Sequence, residues 1–245
     1  MTNPGEPSGR EHTGREHDGR EYAVRIPVDG ITLDGDLAVP DGARGIVLFA
    51  HGSGSSRFSP RNRAVAAALR ADGLATLLLD LLTADEERVD QATRHLRFDV
   101  ALLAARLAAA TDWVTQRSEA RHLAVGYFGA STGAAAALIA AAERPAPVRA
   151  VVSRGGRPDL AGAALAAVRA PTLLIVGGAD TVVIDLNRQA LAALHSECRL
   201  EIVPGATHLF EEPGALEEVA RLAREWFVRH LAPAPGTVRQ PFAEW

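Results

Sequence analysis

His122-Leu-Ala-Val-Gly-Tyr-Phe-Gly-Ala-Ser-Thr-Gly-Ala-Ala-Ala-Ala137 is the stretch that decides the fold of this 245-residue chain. An apolar run ends at Phe128, the pattern Gly129-Ala-Ser131-Thr-Gly133 follows, and an alanine-rich segment comes next. This order predicts a strand, a tight turn and a helix. A serine at the apex of such a turn is held in a strained conformation, and the flanking glycines let strand and helix approach closely. The pattern makes Ser131 a candidate nucleophile that needs partners elsewhere in the chain.

Length and composition limit what those partners can be. With 245 residues and 47% hydrophobic residues, the chain can bury one large core, and we expect a single domain. Cys198 is the only cysteine, which excludes an intramolecular disulfide and a cysteine-based metal cluster. The sequence holds no lysine, so all 26 basic residues are arginines, and Schiff-base chemistry is excluded. We therefore expect neither a cofactor nor a bound metal ion.

Charge and targeting signals narrow the location and the partners. The net charge of −4 argues against a general nucleic-acid binder, which usually has a concentrated basic face. No apolar run reaches the roughly 18 residues that span a bilayer, and the charged, glycine-rich N-terminus has no apolar signal core. We therefore predict a cytoplasmic protein that acts on a small molecule, with no nucleic-acid or membrane partner. No motif indicates its oligomeric state.

The ends of the chain differ from its centre. Residues 9–12 and 14–17 repeat Gly-Arg-Glu-His with almost no apolar side chain nearby. A five-residue period fits neither a helix nor a strand. The sequence therefore predicts a disordered tail at residues 1–21, one domain at residues 22–232, and a loose C-terminal tail at residues 233–245.

The central region alternates between strands and helices. Residues 22–39 alternate in polarity around Asp29-Gly30, which predicts two antiparallel strands with a tight turn. Six further strands are predicted at residues 45–50, 74–82, 123–128, 148–153, 171–176 and 199–203, and the first two are apolar runs of the type buried on both faces of a parallel sheet. Helices are predicted at 59–72, 96–114, 134–142, 160–168, 184–195 and 216–227, with an acidic turn at 85–87. This pattern predicts an α/β fold with a doubly wound, mostly parallel eight-stranded sheet.

Residues suited to catalysis follow the predicted strands. His51, Ser131, Asp180 and His208 each come just after the end of a different strand. In a doubly wound sheet the chemistry collects at the carboxyl ends of the strands, so these residues are expected to share one edge. Asp180 also suits a simple turn after Gly177-Gly178, in which case Asp80, at another strand end, is the alternative acid.

Residues 22–232 resemble the α/β-hydrolase family, whose members carry nucleophile, acid and histidine in this chain order. The Gly177-Gly-Ala-Asp180 and Gly205-Ala-Thr-His208 loops, and the absence of a lid, look most like the dienelactone-hydrolase-like branch. The segment 51–63 resembles members joined to phosphoribosyltransferase domains. True dienelactone hydrolases have a cysteine nucleophile, whereas this chain has Ser131.

The resemblance implies a role for each residue. Ser131 attacks the substrate, His208 takes and returns the proton, and Asp180 orients the imidazole. The backbone amides of Thr132 and Ser53, the latter preferred over Gly54, supply the oxyanion hole. His51 is expected to shape the loop rather than to react.

Three arginines give a hypothesis about the substrate. Arg57 follows the oxyanion loop, which is the segment 51–56 that carries Ser53. Arg154 and Arg157 follow the strand after Ser131. If they face the cleft, they suit a carboxylate or phosphate on the substrate, because the guanidinium fork binds such groups bidentately. The competing interpretation is that all three are solvated surface residues.

The resulting prediction is a serine hydrolase that cleaves a small carboxylic ester, thioester or lactone through an acyl-enzyme on Ser131. Two alternatives remain open at this point. One is an acyl transferase or cofactor-free haloperoxidase-like activity on the same triad. The other is a catalytically idle hydrolase fold that serves as a binding module.

Overall fold

The computed structural model describes residues 20–232, which form one sheet with helices on both faces. The eight strands are β1 Arg20–Val28, β2 Ile31–Val39, β3 Ile46–Ala50, β4 Ala75–Leu79, β5 Val125–Ala130, β6 Val148–Arg154, β7 Thr172–Gly177 and β8 Cys198–Val203. The helices are α1 Pro60–Ala71, α2 Ala84–Thr93, α3 Val100–Gln116, α4 Thr132–Glu143, α5 Thr181–Ala193 and α6 Ala215–Leu231, with short 3₁₀ segments at Leu96–Phe98 and Pro158–Ala167.

The strand order is β1-β2-β4-β3-β5-β6-β7-β8. The β1–β2 and β2–β4 pairs are antiparallel, and the other five pairs are parallel. The predicted α/β class and the mostly parallel eight-stranded sheet are therefore confirmed. The leading hairpin turns at Asp29 and Gly30, both with positive φ, as a two-residue turn between right-twisted strands requires.

The core is divided by the sheet into two apolar layers. In β3, Leu48 packs in the layer beneath α3 and α4, whereas its neighbours Val47 and Phe49 pack in the layer beneath α1 and α6. Every residue of β3, β4, β5 and β7 is buried. Burial on both faces explains why these strands are continuous apolar runs in the sequence.

The predicted acidic turn at 85–87 is wrong, because these residues begin α2. Thr83 and Glu86 form a reciprocal capping box at its start, and Asp90 is its one buried residue. Since α2 presents no apolar stripe, hydrophobic periodicity gives no sign of it. The predicted long helix from Leu96 is also divided: a 3₁₀ turn comes first, and α3 begins at Val100 after the Asp99 cap.

The first and last elements of the described residues lie near the ends of the predicted domain at 22–232. β1 begins at Arg20, two residues before the predicted start, and α6 ends at Leu231. The predictions of disorder at 1–21 and 233–245 concern residues that lie almost entirely outside the described part of the chain. Among residues 20–232, no helix combines the length and the apolar character needed to cross a membrane.

Candidate active site

Ser131 lies in the tight turn between β5 and α4 and has a strained backbone, with φ 50° and ψ −123°. The flanking glycines make the turn possible. A Cβ at Gly129 would lie 2.5 Å from the Cα of Ala134, and one at Gly133 would lie 2.5 Å from the carbonyl oxygen of His51. No side chain fits at either position, which is the close approach predicted from the G-x-S-x-G pattern.

Backbone hydrogen bonds fix the Ser131 turn against β6. The Ser131 amide donates to the carbonyl of Arg154 at 3.3 Å, and the amide of Arg157 donates to the carbonyl of Ser131 at 3.1 Å. Ala134 also donates to the Ser131 carbonyl, at 3.1 Å. The Ser131 side chain remains partly exposed at the carboxyl edge of the sheet.

Asp180 and His208 contact each other across the exits of β7 and β8. The imidazole Nδ1 of His208 lies 2.6 Å from Oδ2 of Asp180. A carboxylate only accepts, so Nδ1 carries the proton and donates it, which leaves Nε2 of the neutral ring as a proton acceptor. The sequence-predicted pair is therefore brought together in the geometry of a base and its orienting acid.

Glycine again allows the two loops to meet. A Cβ at Gly177 would lie 2.6 Å from the carbonyl oxygen of Thr207, and the Ala179 amide donates to the carbonyl of Ala206 at 2.9 Å. The Gly-Gly pair before Asp180 thus permits the acid-bearing loop to pack directly on the histidine-bearing loop.

The His208 ring lies close to Gly155, just after the end of β6. A Cβ at Gly155 would be 3.6 Å from Cε1 of His208 and 3.0 Å from the His208 carbonyl oxygen. Gly155 follows Arg154, whose carbonyl accepts the Ser131 amide. Since β6 lies between β5 and β7 in the sheet, the imidazole lies at the exit of the strand next to the one that carries Ser131.

The loop after β3 packs against the Ser131 turn from the other side. A Cβ at Gly52 would lie 3.1 Å from the Cβ of Ser131. The hydroxyls of Ser53 and Thr132 are hydrogen-bonded at 2.9 Å. Within residues 20–232, the amides of Ser53 and Thr132 donate to no other protein group, so two donors are free beside the serine. The two predicted oxyanion-hole residues are thus adjacent.

His51 has a structural position in this loop. Its Nε2 accepts from the Leu81 amide at 3.0 Å, and its Nδ1 donates to the carbonyl of Gly52 at 3.0 Å. Burial lowers the pKa of His51, so the ring is neutral at pH 7. His51 therefore ties the exit of β3 to the exit of β4, as the prediction that it shapes the loop requires.

Asp90 and Arg97 support the same loop and were missed in the sequence. Asp90 is fully buried and accepts from the amides of Leu96 and Arg97 at 2.8 and 3.2 Å, as well as from the Arg97 guanidinium. Ser53 Oγ donates to the Arg97 carbonyl at 3.3 Å. A Cβ at Gly54 would be 3.0 Å from Nη1 of Arg97. No sequence signal marks this pair, because α2 itself has no apolar pattern.

Two of the three predicted substrate arginines have carboxylate partners. Both the amide and the guanidinium of Arg57 donate to Asp80, and Arg157 forms two bonds of 2.8 and 2.7 Å with Asp159. Arg154 differs, since it is 8% exposed and its Nε and Nη1 have no hydrogen-bond partner. The structure also shows that the alternative acid, Asp80, contacts Arg57 and not His208.

The surroundings of Cys198 make its thiol a poor nucleophile. Cys198 starts β8 and is half-buried, and burial raises its thiol pKa to about 11. The thiol is therefore protonated and unreactive at neutral pH. Within residues 20–232, no group of three or more His, Cys, Asp or Glu side chains is arranged to hold a metal ion.

A surface cavity of about 320 Å³ lies at the end of α3, lined by Trp113, Gln116, Arg117, Ser118 and Glu119. The end of α3 leads into the beginning of β5, so this cavity lies at the amino edge of the sheet. It is therefore on the edge opposite Ser131 and takes no part in the chemistry proposed there.

Comparisons with known proteins show which family this chain belongs to. The model of the dienelactone hydrolase family matches residues 33–231. The chain belongs to the dienelactone hydrolase family. It is similar to the crystal structure of the dienelactone hydrolase from Anabaena variabilis, with 64% identity and a TM-score of 0.87 over 88% of this chain and all of that one. Est1E from Butyrivibrio proteoclasticus has the same fold at 18% identity and a TM-score of 0.71, over 84% of this chain and 98% of that one.

A second kind of relative is longer. A putative phosphoribosyl transferase from Mycobacterium tuberculosis is 58% identical over 213 residues, which are 86% of this chain and 47% of that protein. The chain thus spans about half the length of this relative. The predicted resemblance to family members associated with phosphoribosyltransferase domains is confirmed by this match.

Proposed function

We propose that this member of the dienelactone hydrolase family is a serine hydrolase that cleaves a small carboxylic ester, thioester or lactone. The observation that carries the proposal is the 2.6 Å contact of His208 Nδ1 with Asp180, made beside the strained Ser131 turn. A histidine oriented by a carboxylate next to a serine at a sharp turn is the arrangement that activates a hydroxyl for nucleophilic attack.

The reaction begins with proton transfer. Nε2 of His208 accepts the Ser131 hydroxyl proton as Oγ bonds to the substrate carbonyl carbon, and Asp180 stabilises the imidazolium that forms. The carbonyl oxygen becomes an oxyanion, which the free amides of Ser53 and Thr132 bind. The dipole at the start of α4 adds to this stabilisation.

The tetrahedral intermediate then collapses to an acyl-enzyme. Its bond to the leaving oxygen or sulfur breaks, and His208 gives its proton to the leaving group. A water molecule, deprotonated by His208, attacks the acyl carbon, and the second collapse returns the proton to Ser131. The overall reaction consumes one water and yields an acid and an alcohol or thiol.

The short β6–β7 connection favours water as the second substrate. Between Arg154 and Thr172 the chain forms only the 3₁₀ segment Pro158–Ala167, with no inserted lid. Leu160 in this segment, Val182 at the start of α5 and Leu209 beside the histidine are exposed apolar side chains. An open edge with apolar side chains suits a small, partly apolar acyl group and gives water access to the acyl-enzyme.

Substitution of the nucleophile tests the proposal. Ser131→Ala should abolish hydrolysis of p-nitrophenyl acetate and covalent labelling by a fluorophosphonate probe, with the circular dichroism spectrum unchanged. His208→Ala should also abolish turnover. The matched control is Ser55→Ala, a serine of the oxyanion loop with no assigned role, which should retain both activity and labelling.

Each alternative function gives a different result. Hydrolysis that persists in Ser131→Ala contradicts the nucleophile assignment. Absence of labelling in the wild-type protein favours an idle binding module. A product ratio that shifts to acyl transfer when a competing alcohol is added favours a transferase, and halide oxidation in the presence of peroxide favours the haloperoxidase-like activity.

The cellular setting is part of the same proposal. We place the protein in the cytoplasm, acting on a small molecule without a nucleic-acid or membrane partner. The supporting features are the single, half-buried Cys198, which has no intramolecular disulfide partner, and the net charge of −4.

A further inference from the structure

The edge strand β8 has a free outer side among residues 20–232. It ends the strand order of the sheet, and β7 is the one strand of the described chain that pairs with it. An edge strand presents a row of amide and carbonyl groups to which another chain can add a strand. β8 contains neither a proline nor a bulge, the devices that commonly block such an addition.

The opposite edge of the sheet is protected. It is formed by β1, which contains Pro27 and pairs with β2. Proline is tolerated in an edge strand where its missing N–H faces outward, so Pro27 removes a donor from the free side of β1. Of the two edges, β8 is therefore the one suited to accept a further strand.

Two hydrogen bonds fix which groups of β8 face outward. The Thr172 amide donates to the carbonyl of Glu197 at 2.8 Å, and the Gly178 amide donates to the carbonyl of Val203 at 2.8 Å. The amide and carbonyl of a strand residue point to the same side, and successive residues point to opposite sides. The odd-numbered residues 197–203 therefore face β7. The backbone groups that face away from β7 belong to three residues, Cys198, Leu200 and Ile202.

The side chains of β8 form one apolar row and one charged row. Leu200 packs with the apolar residues of α5, and Cys198 and Ile202 share its face by alternation. Ile202 is 40% exposed. Arg199 and Glu201 lie on the opposite face and form an ion pair with each other. The strand thus has an exposed apolar side chain and one charge of each sign beside its free edge.

This pattern is self-complementary in one antiparallel register, with Leu200 opposite the partner's Leu200. The outward groups of Cys198 then meet those of the partner's Ile202, and each of the three outward pairs exchanges two N–H···O bonds. On the other face, Arg199 lies opposite the partner's Glu201 in a closely spaced, non-hydrogen-bonded pair. Both rows of side chains therefore match at once.

Neighbouring registers lack this match. A shift of two residues places Arg199 opposite the partner's Arg199, or Glu201 opposite the partner's Glu201, and like charges directly opposite each other are destabilising. A shift of one residue sets outward backbone groups against groups that already face β7. The charges and the hydrogen-bonding pattern thus select the same register.

We propose that β8 pairs with β8 of a second copy of this chain, in antiparallel orientation about a two-fold axis at Leu200. The two eight-stranded sheets then form one continuous sheet, and the same residues of both copies make the interface. The assignment goes beyond the proposed hydrolase function and does not depend on it, because each copy keeps its own Ser131, Asp180 and His208.

Charge exchange tests the pairing in solution. Sedimentation equilibrium of the wild-type protein should give the mass of two chains. Arg199→Glu and Glu201→Arg should each raise the dimer Kd at least about tenfold, since each places like charges opposite one another twice. An equimolar mixture of these two variants should form a heterodimer with a Kd near that of the wild type, because every carboxylate again meets a guanidinium.

The matched control is Arg88→Glu, which reverses a charge in an exposed ion pair of α2 with Asp85. This variant should dimerise as the wild type does. Circular dichroism spectra that match the wild-type spectrum should show that all three variants are folded.

A disulfide tests the register. Ile202→Cys introduces a thiol opposite the partner's Cys198, at a Cα separation of about 5.5 Å that a disulfide can span. Oxidation with copper phenanthroline should therefore give a covalent dimer on a non-reducing gel. The wild type should give none, since its two Cys198 residues lie roughly 13 Å apart along the paired strands. Cys198→Ala/Ile202→Cys, the matched control, should give none for the same reason.

Three outcomes overturn the proposal. The first is a wild-type protein that stays monomeric up to about 0.1 mM, which would leave the edge to a different chain. The second is a dimer that neither charge reversal weakens. The third is cross-linking of the wild type, or its absence in Ile202→Cys, which would exclude the register. None of these measurements uses ester hydrolysis, so failure of the proposed function leaves their meaning unchanged.

Discussion

Two aspartates follow buried strands at the same edge of the sheet, and they have different partners. Asp80 follows β4 and is bound by the amide and guanidinium of Arg57, whereas Asp180 follows β7 and contacts His208. The Asp80–Arg57 pair joins the exit of β4 to the loop after β3 and contains no imidazole that could act as a base. An imidazole can accept and release a proton near pH 7, so the Asp180 pair can support catalysis.

The surroundings of the two aspartates extend this difference. The exit of β4 is rich in ion pairs between arginines and carboxylates, which join Arg57 to Asp80, Arg97 to Asp90 and Arg106 to Glu86. The exits of β7 and β8 are joined instead by close backbone contacts at glycines. The first region acts as a fixed support for the oxyanion loop, and the second region places the reactive imidazole.

The largest expected effect is on Asp180. Asp180→Asn should lower kcat for p-nitrophenyl acetate about 10⁴-fold, the loss that a triad shows when its acid becomes an amide that stabilises the wrong imidazole tautomer. The matched control is Asp185→Asn, an exposed aspartate of α5 paired with Arg188. Asp185→Asn should keep full activity. A comparable loss of kcat in both variants would contradict the role proposed for Asp180.

The second expected effect is a loss of stability at Asp80. Asp80→Asn leaves the Arg57 charge, whose side chain is 20% exposed, without its main partner. We expect the free energy of unfolding in urea to fall by about 2–3 kcal/mol, with kcat changed less than about tenfold. The double variant Asp80→Asn/Arg57→Gln should recover part of the loss. A fall in kcat as large as that of Asp180→Asn, with stability intact, would assign the acid to Asp80 instead.

The smallest effect is an acid titration at the start of α2. Hydrogen bonds from Arg106 lower the pKa of Glu86 to about 2. Since the folded-state pKa lies below the unfolded-state value, the stabilisation is present above about pH 4.5 and is lost as pH falls toward about 2. Glu86→Gln should therefore reduce the free energy of unfolding at pH 7 by about 1–2 kcal/mol, allowing for partial exposure.

The pH dependence distinguishes this effect from a packing defect. The stability gap between wild type and Glu86→Gln, measured in urea, should narrow as the pH is lowered from 7 to 3. A gap that stays constant with pH would show that the Arg106 pair does not stabilise through charge. Asp85→Asn is the control, since Asp85 is 83% exposed and its loss should change stability by about 0.5 kcal/mol or less.

The sequence predicted the sheet because its central parallel strands, β3, β4, β5 and β7, are buried on both faces and appear as apolar runs. It predicted that Ser131, Asp180 and His208 lie near one another, since each follows a strand at the same edge. It missed α2, whose one buried residue is Asp90. Apolar periodicity cannot reveal a helix held by a capping box and ion pairs.

Charge partners were the part that the sequence could not predict. Arg57, Arg154 and Arg157 have the same side chain and follow strands at the same edge, yet within residues 20–232 Arg57 and Arg157 have carboxylate partners and Arg154 has none. The partner of Arg57 is 23 residues away along the chain, whereas the partner of Arg157 is two residues away. The Arg57 contact is set by tertiary packing, which residue spacing does not encode.

The glycine contacts around Ser131, Asp180 and His208 have a consequence for folding. Gly133 packs against the carbonyl oxygen of His51, so the main chains after β3 and β5 are in close contact. Gly177 packs against the carbonyl oxygen of Thr207, so the main chains after β7 and β8 are also in close contact. Segments separated by more than 150 residues must therefore be assembled before the serine, histidine and oxyanion amides adopt their spacing. The ester hydrolysis proposed for this chain therefore requires complete sheet assembly, because a chain truncated before β8 lacks His208.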